Sequence, residues 1–307
     1  MFLRFEYGAL RAALALSLST FACACGSDSG ALGEGALEVS VSGEEAAEVG
    51  FPFTEDGETI SFADGWRVSF SKLLIGVGGL DLRSSDGQTA VAESRTYVAD
   101  LHAGAARLAT FSGLGARRWD RFSYRIVAPD ETATPIGDVS EDDVERMREG
   151  GFNYLIEGSA IREGNQLTFS WGFSNPTLNA NCTNGVDDTD GVVVPNNSQA
   201  SAEITIHVDH LFWTTLGTER SELRFEAIAA AGRDDGDISM SDLAEQRLSS
   251  LVGMDGEPLK DDQGAAIVYN PESVRLESQN LAAFMLASSS SMGHLNGEGL
   301  CTVRAKP

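Results

Sequence analysis

Apolar and polar residues alternate with period two over much of the chain, in runs separated by Gly, Asn and Asp. Trp66-Arg67-Val68-Ser69-Phe70-Ser71 alternates residue by residue, and residues 73–77 continue it as an apolar run. Residues 119–127 repeat the pattern, with Phe122, Tyr124 and Ile126 on one face and Arg121, Ser123 and Arg125 on the other. Residues 37–42, 95–101, 202–212 and 222–229 also read as strands. Residues 152–161 and 166–173 read as a pair joined by the turn Arg162-Glu163-Gly164-Asn165. Successive side chains of a strand point to opposite faces, so this pattern describes strands with one buried and one wet face. Short strands at this spacing, with turn residues between them, predict a mainly β fold: an antiparallel β-sandwich rather than a parallel sheet.

Helices are few. Residues 140–149 form one, with Ser140 as cap, Glu141 and Asp142 in the first turn, and Arg146 and Arg148 late, where the helix dipole favours each charge. Residues 240–251, capped by Ser239 or Ser241, and residues 279–287 give two more. Residues 175–201 show no periodicity and many Asn, Asp and Gly, which predicts one long loop.

The first residues follow a different logic. Arg4 and Arg11 precede a small, apolar run of about eleven residues, 12–22, and no acid follows Glu6 until Asp28. That run is too short to span a bilayer and has the form of a secretory signal. It ends in Ala22-Cys23-Ala24-Cys25-Gly26-Ser27-Asp28-Ser29, which resembles the bacterial lipobox, where the signal is cut before a cysteine that then receives lipid. Cys25 fits best, with Ala24 before it and Gly26 after it; Cys23 is the alternative. Gly rather than Asp after the cysteine favours the outer membrane in that family. The expected organisation is a signal at 1–24, a flexible tether at 25–36, and a single β-rich domain at 37–307.

Composition bounds the rest. The 42% hydrophobic content suffices for a real core. Forty-six acids against 22 bases give a net charge of −24, which repels phosphate backbones, so no nucleic-acid partner is expected; the membrane, reached through the lipid, is. Cys182 and Cys301 remain after the lipobox cysteines, and an even pair in an oxidising compartment predicts a disulfide.

The chain holds four histidines: His102, His207, His210 and His294. Two lie in Thr205-Ile206-His207-Val208-Asp209-His210. On a continuous strand, His207 and Asp209 share a face and His210 falls on the other, rejoining them if the strand ends or bulges nearby. Imidazole and carboxylate suit zinc, copper or another transition metal; Asp209 also reads as a partner that orients a ligating imidazole. The best third ligand is His294, in Gly293-His294-Leu295-Asn296-Gly297-Glu298, with Glu298 as a further oxygen donor; His102, at a strand end, is weaker. The expected ligands are therefore His207, Asp209, His210 and His294. The competing reading has these histidines satisfied by the fold, with no ion.

Residues 231–242 resemble an EF-hand calcium loop centred on Gly236, with Asp235, Asp237, Ser239 and Asp242 as oxygen donors. Ala231 and Arg233 stand where that family needs ligands, and Asp242 replaces its Glu, so calcium is not expected and an acidic turn capping a helix fits better. No nucleophile elbow, P-loop or dinucleotide fingerprint is present.

Phe62-Ala63-Asp64-Gly65-Trp66, Thr168-Phe169-Ser170-Trp171-Gly172-Phe173, the stretch 205–212 and Gly293-His294 to Cys301 resemble a group of uncharacterised bacterial lipoproteins. Arg118-Trp119-Asp120-Arg121-Phe122, and Phe152-Asn153-Tyr154-Leu155-Ile156-Glu157-Gly158 leading to a Trp-bearing strand and a cysteine, are similar to periplasmic copper-binding proteins of the methanobactin-associated (MbnP-like) type. That likeness covers the middle of the chain, implies a sandwich fold and metal handling, and carries over no ligand residue. Three functions compete: a metal-binding lipoprotein, a metal-free structural or interaction protein of the cell surface, and a metal-dependent hydrolase with Glu298 as base.

Overall fold

The computed structural model describes residues 33–305, apart from 56, 85–89, 218–220 and 262. The signal, Cys23 and Cys25 lie outside the described residues. The first strand, Glu34–Ser42, begins inside the stretch read as tether.

The expected mainly β, sandwich-like fold is observed: strands dominate, and a four-stranded sheet and a curled nine-stranded sheet share one core. The smaller sheet has the order Gly293–Leu295, Gln199–Ile206, Glu34–Ser42, Ala106–Gly115. The larger is built around Arg67–Arg83, which pairs with Tyr154–Arg162, Ala90–Asp100 and Arg121–Ile126, all antiparallel. Val68 and Phe70 are buried between exposed Arg67, Ser69 and Ser71, as alternation requires. From Leu73 onward both faces are covered, which is why the sequence turns continuously apolar there. Leu73 and Ile75 enter the main core, while Leu74 joins Val98 and Leu155 against Val144 and Met147 of the helix Glu141–Gly150. The register of Arg67–Arg83 slips after Gly78, where Gly79 takes a φ of +58°, a conformation that glycine adopts without penalty.

Most pairings are antiparallel, but the centre of the smaller sheet is not. Glu34–Ser42 runs parallel to Gln199–Ile206, so the chain threads one sheet, builds most of the other and returns beside its own start.

Several segments depart from the elements expected of them. Residues 202–212 are not one strand: the strand ends at Ile206 and a 3-10 turn, Val208–Phe212, follows. Val208, Leu211 and Phe212 are all buried, a spacing that period two cannot bury and a tight helical turn can. Residues 222–229 contain no extended strand; Glu226–Ala231 is a helix. Asp64 Oδ2 accepts from the backbone N–H of Phe225 and Glu226, both at 2.8 Å, which starts the helix, and buried Ala227, Ala229 and Ala230 continue it. The helix expected over 240–251 stops at Glu245, with a separate 3-10 turn at Leu248–Ser250. The stretch 175–201 includes Thr177–Ala180, which joins the larger sheet. The other helices stand close to their expected bounds, Glu141–Gly150 capped by Ser140 and Leu281–Ser288 capped by Asn280.

Cys182 and Cys301 form the expected disulfide. It fastens the last strand, Thr302–Ala305, beside Thr177–Ala180. The bridge closes a sequence separation of 119 residues, so chain entropy assigns it about 4–5 kcal/mol before any relaxation is counted. Replacing both cysteines by Ala is expected to lower unfolding free energy by about 2–5 kcal/mol in urea titrations. Identical midpoints for this variant and the oxidised parent would contradict that role.

Candidate metal centre

One row of main-chain pairing assembles the site. Ser42 is in parallel register with Thr205, and Thr205 is in antiparallel register with His294. Leaving this row, the two parallel strands carry Glu44 and His207 out side by side, each two residues past the paired position. The His207 N–H donates to the Met292 carbonyl at 2.9 Å and extends the ladder one step. The rings of His207 and His294 therefore lie with centroids 4.5 Å apart.

The end of the strand brings in the third imidazole. In the 3-10 turn the His210 N–H donates to the His207 carbonyl at 3.3 Å, turning the chain back on itself. His210 comes to rest 5.6 Å from the His207 ring and 5.5 Å from the His294 ring. Phe212 anchors the turn in the core, 5.1 Å from Phe62 and 6.4 Å from Trp171 by ring centroids. Trp213 covers His210 at 3.7 Å and donates its indole N–H to Asp209 Oδ2 at 3.1 Å.

A hydrogen-bonded loop presents His294 and Glu298. Asn296 and Gly297 both take positive φ, so the chain reverses and Leu295 N–H donates to the Gly299 carbonyl at 2.9 Å. Glu203 N–H donates to Asn296 Oδ1 at 2.7 Å, Thr205 Oγ1 donates to the Gly297 carbonyl at 2.6 Å, and Tyr124 Oη donates to the His294 carbonyl at 3.0 Å. Gly185 packs so tightly below that a Cβ there would meet the Asn296 carbonyl oxygen at 2.3 Å.

Hydrogen bonds fix the tautomer of each ring. His294 Nε2 faces the Ser291 carbonyl at 3.1 Å, which only accepts, so the proton is on Nε2 and the lone pair on Nδ1. That Nδ1 is buried and has no hydrogen-bond partner. Ser291 donates its hydroxyl proton to the Ser288 carbonyl at 2.9 Å and so accepts from His210 Nδ1 at 3.0 Å, leaving the His210 lone pair on Nε2. His207 Nε2 faces the Gly297 carbonyl at 3.3 Å, leaving its lone pair on Nδ1.

Burial favours the neutral form of His210 and His294. It pushes the His210 pKa down to about 2, helped by His207 and His294, and it lowers that of His294, helped by His207. Burial also raises the Asp209 carboxyl, against the opposing pull of His207 and the Trp213 hydrogen bond. Neutral imidazoles are the metal-binding form.

The four expected ligands divide between two sets that share one residue. Donor atoms of His207, His294 and Glu298 lie within 4.8 Å of one another, and so do those of His207, Asp209 and His210. His102 stands apart, its Nδ1 3.0 Å from the Ala47 carbonyl. Glu44, with Oε2 3.7 Å from His207 Nδ1, was not expected; nothing in its local sequence sets it apart, because a parallel pairing between distant segments places it. In the calcium-like loop, Ser239 and Asp242 form a capping box, Asp235 Oδ1 accepts from Asp237 N–H at 3.1 Å, and Asp237 Oδ1 accepts from Thr168 Oγ1 at 2.8 Å, so these oxygens serve the turn and helix start.

Comparison with known proteins adds no analogy: no family model matches the chain, and neither a curated protein nor a solved structure matches it.

The buried ring of His210 gives the metal-free protein an acid sensitivity. An unfolded histidine titrates near 6.5, so below that pH the unfolded chain binds a proton that folded His210 refuses until about pH 2. Stability must therefore fall as pH drops from about 6.5. In chelator-treated protein, the urea midpoint is expected to fall between pH 7 and pH 5, and to fall less in His210→Phe. Equal pH dependence in the two would show that His210 is not held neutral.

Proposed function

We propose that the chain is an exported, lipid-anchored protein of the cell envelope that binds a transition-metal ion, zinc or copper. His207 and His294 are its imidazole ligands, Glu298 supplies an oxygen, and His210 and Asp209 flank His207 as the second donor set. The observation that carries this reading is His294. Its Nε2–H is held by a backbone carbonyl, and the opposite nitrogen is buried with no hydrogen-bond partner in the protein. Metal-ligating histidines are oriented in this way, one nitrogen tied to the protein and the other aimed at the ion. An unsatisfied buried acceptor otherwise costs about 1–3 kcal/mol. Imidazole with carboxylate suits borderline transition metals and is a poor set for calcium.

A second reading also has an observation behind it. Each of the three rings already has one nitrogen bonded within the protein, as histidines that merely pack a surface lipoprotein would. Metal content decides between the two. The full chain, purified without an affinity tag, is expected to carry about one equivalent of zinc or copper by mass spectrometry. His207→Ala/His294→Ala should carry none. No metal above background, even after incubation with both ions, leaves the metal-free structural reading.

The anchor rests on Ala24-Cys25-Gly26. Among the described residues no helix is long and apolar enough to cross a membrane. Cys25→Ser is expected to move the protein from the detergent-rich to the aqueous phase in cloud-point partitioning. The same shift in Cys23→Ser instead would place the lipid on Cys23, and aqueous partitioning of the unaltered chain would remove the anchor altogether.

A further inference from the structure

Glu44 is the first residue of the helix Glu44–Val49, and it adopts a φ of +53°. L side chains seldom take that left-handed conformation, and residues held in it gather at functional sites. The side chain turns toward the histidine cluster, with Oε2 3.7 Å from His207 Nδ1. That nitrogen carries the ring's lone pair, because Nε2 points its proton at the Gly297 carbonyl. A carboxylate oxygen thus faces an imidazole lone pair: two acceptors, too far apart for a hydrogen bond and close enough to share a cation.

The same arrangement recurs across the cluster. His294 Nδ1, the buried lone pair without a partner, lies 3.9 Å from Glu298 Oε2. His294 itself is only 6% exposed, so this nitrogen is turned inward to the site and away from water. In a tetrahedral centre with bonds of about 2.0–2.2 Å, neighbouring ligand atoms stand about 3.3–3.6 Å apart. Both acceptor pairs come within a few tenths of an ångström of that edge. Donor atoms of His207, His294 and Glu298 lie within 4.8 Å of one another, and Glu44 reaches that group through its edge with His207.

We infer that Glu44 is a metal ligand, and that His207, His294, Glu44 and Glu298 together form a site for one divalent cation. The inference rests on the metal-binding reading above and extends it in two ways. It brings in a residue from the helix Glu44–Val49, and it specifies the charge of the ion. Two carboxylates and two neutral imidazoles balance a charge of +2. Copper(I) prefers sulfur donors and would leave surplus negative charge in the same cage. The surroundings are acidic as well: burial is the main influence raising the Glu44 carboxyl, His207 opposes it, and Glu55, Glu298 and Glu203 each add to the rise, so acids converge on this mouth. A divalent ion relieves that repulsion, and the field draws cations in.

The test uses the full chain and zinc(II) as probe, with affinity read by competition against a chromophoric chelator. Three single variants are compared with the parent: Glu44→Gln, Glu298→Gln and Glu203→Gln. The last removes a nearby charge without removing a proposed ligand. Glu44→Gln and Glu298→Gln are expected to weaken zinc binding about ten-fold or more, with unchanged near-ultraviolet circular dichroism, and Glu203→Gln by no more than about three-fold. If Glu44→Gln does not fold, Glu44→Asp reads the same quantity. It keeps the charge but withdraws the oxygen by one methylene, and a several-fold loss is expected. Zinc binding by the parent that responds to Glu44 no more than to Glu203 overturns Glu44 as a ligand and leaves the histidine site standing. Tighter retention of copper(I) than of zinc(II), unaffected by either carboxylate, overturns the divalent assignment. Absence of binding to the parent itself defeats the metal-binding reading beneath both.

Discussion

The pairing of Gln199–Ile206 with its two neighbours is the constraint on which the site depends. One neighbour is Glu34–Ser42, the first strand among the described residues, in parallel register; the other is the three-residue strand Gly293–Leu295, in antiparallel register. A one-residue slip in either ladder would turn the affected side chains to the opposite face. The parallel register places Glu44 beside His207, and the antiparallel one places His294 there. Hydrogen bonds from Thr205, Glu203 and Tyr124 then hold the loop from His294 to Glu298 in place. The disulfide secures the segment directly after that loop, so main-chain order and covalent closure act on the same few residues.

Electrostatics adds a second constraint. The chain is strongly acidic, yet the cluster includes His210 and His294, whose imidazoles burial holds toward the neutral form. Serine and carbonyl groups occupy the outer nitrogens of His210 and His294 and set which nitrogen keeps its lone pair. The core supports this arrangement through Phe212, whose packing against Phe62 and Trp171 stops the strand and folds the next turn inward.

Much of the fold was legible in the sequence. Alternation at 66–71 and 119–127 marks strands because one face of each is wet, and Ser140 and Asn280 cap their helices with side-chain oxygens, a purely local interaction. The disulfide followed from an even cysteine pair and the expectation of export. Period two failed at 202–212 and 222–229, where apolar residues are buried by 3-10 and helical turns whose stability comes from tertiary partners, Phe62 and Asp64 among them. Those partners lie far away in sequence. Of the site, the histidines were legible because the residue is rare in this chain, and the condition for His210 to rejoin His207, an early end to the strand, is met. Glu44 was not legible, since it is one acid among many and a parallel pairing across most of the chain brings it to the cluster.

On the proposed reading, the imidazoles of His207 and His294, carried by adjacent strands of this ladder, hold one metal ion. X-ray absorption fine structure at the zinc edge, on the full chain loaded with one equivalent of zinc, tests it most directly. The expected spectrum has a first shell of nitrogen and oxygen at about 2.0–2.2 Å, no sulfur, and outer-shell scattering from two imidazole rings. A shell of oxygen alone, without imidazole scattering, would contradict it.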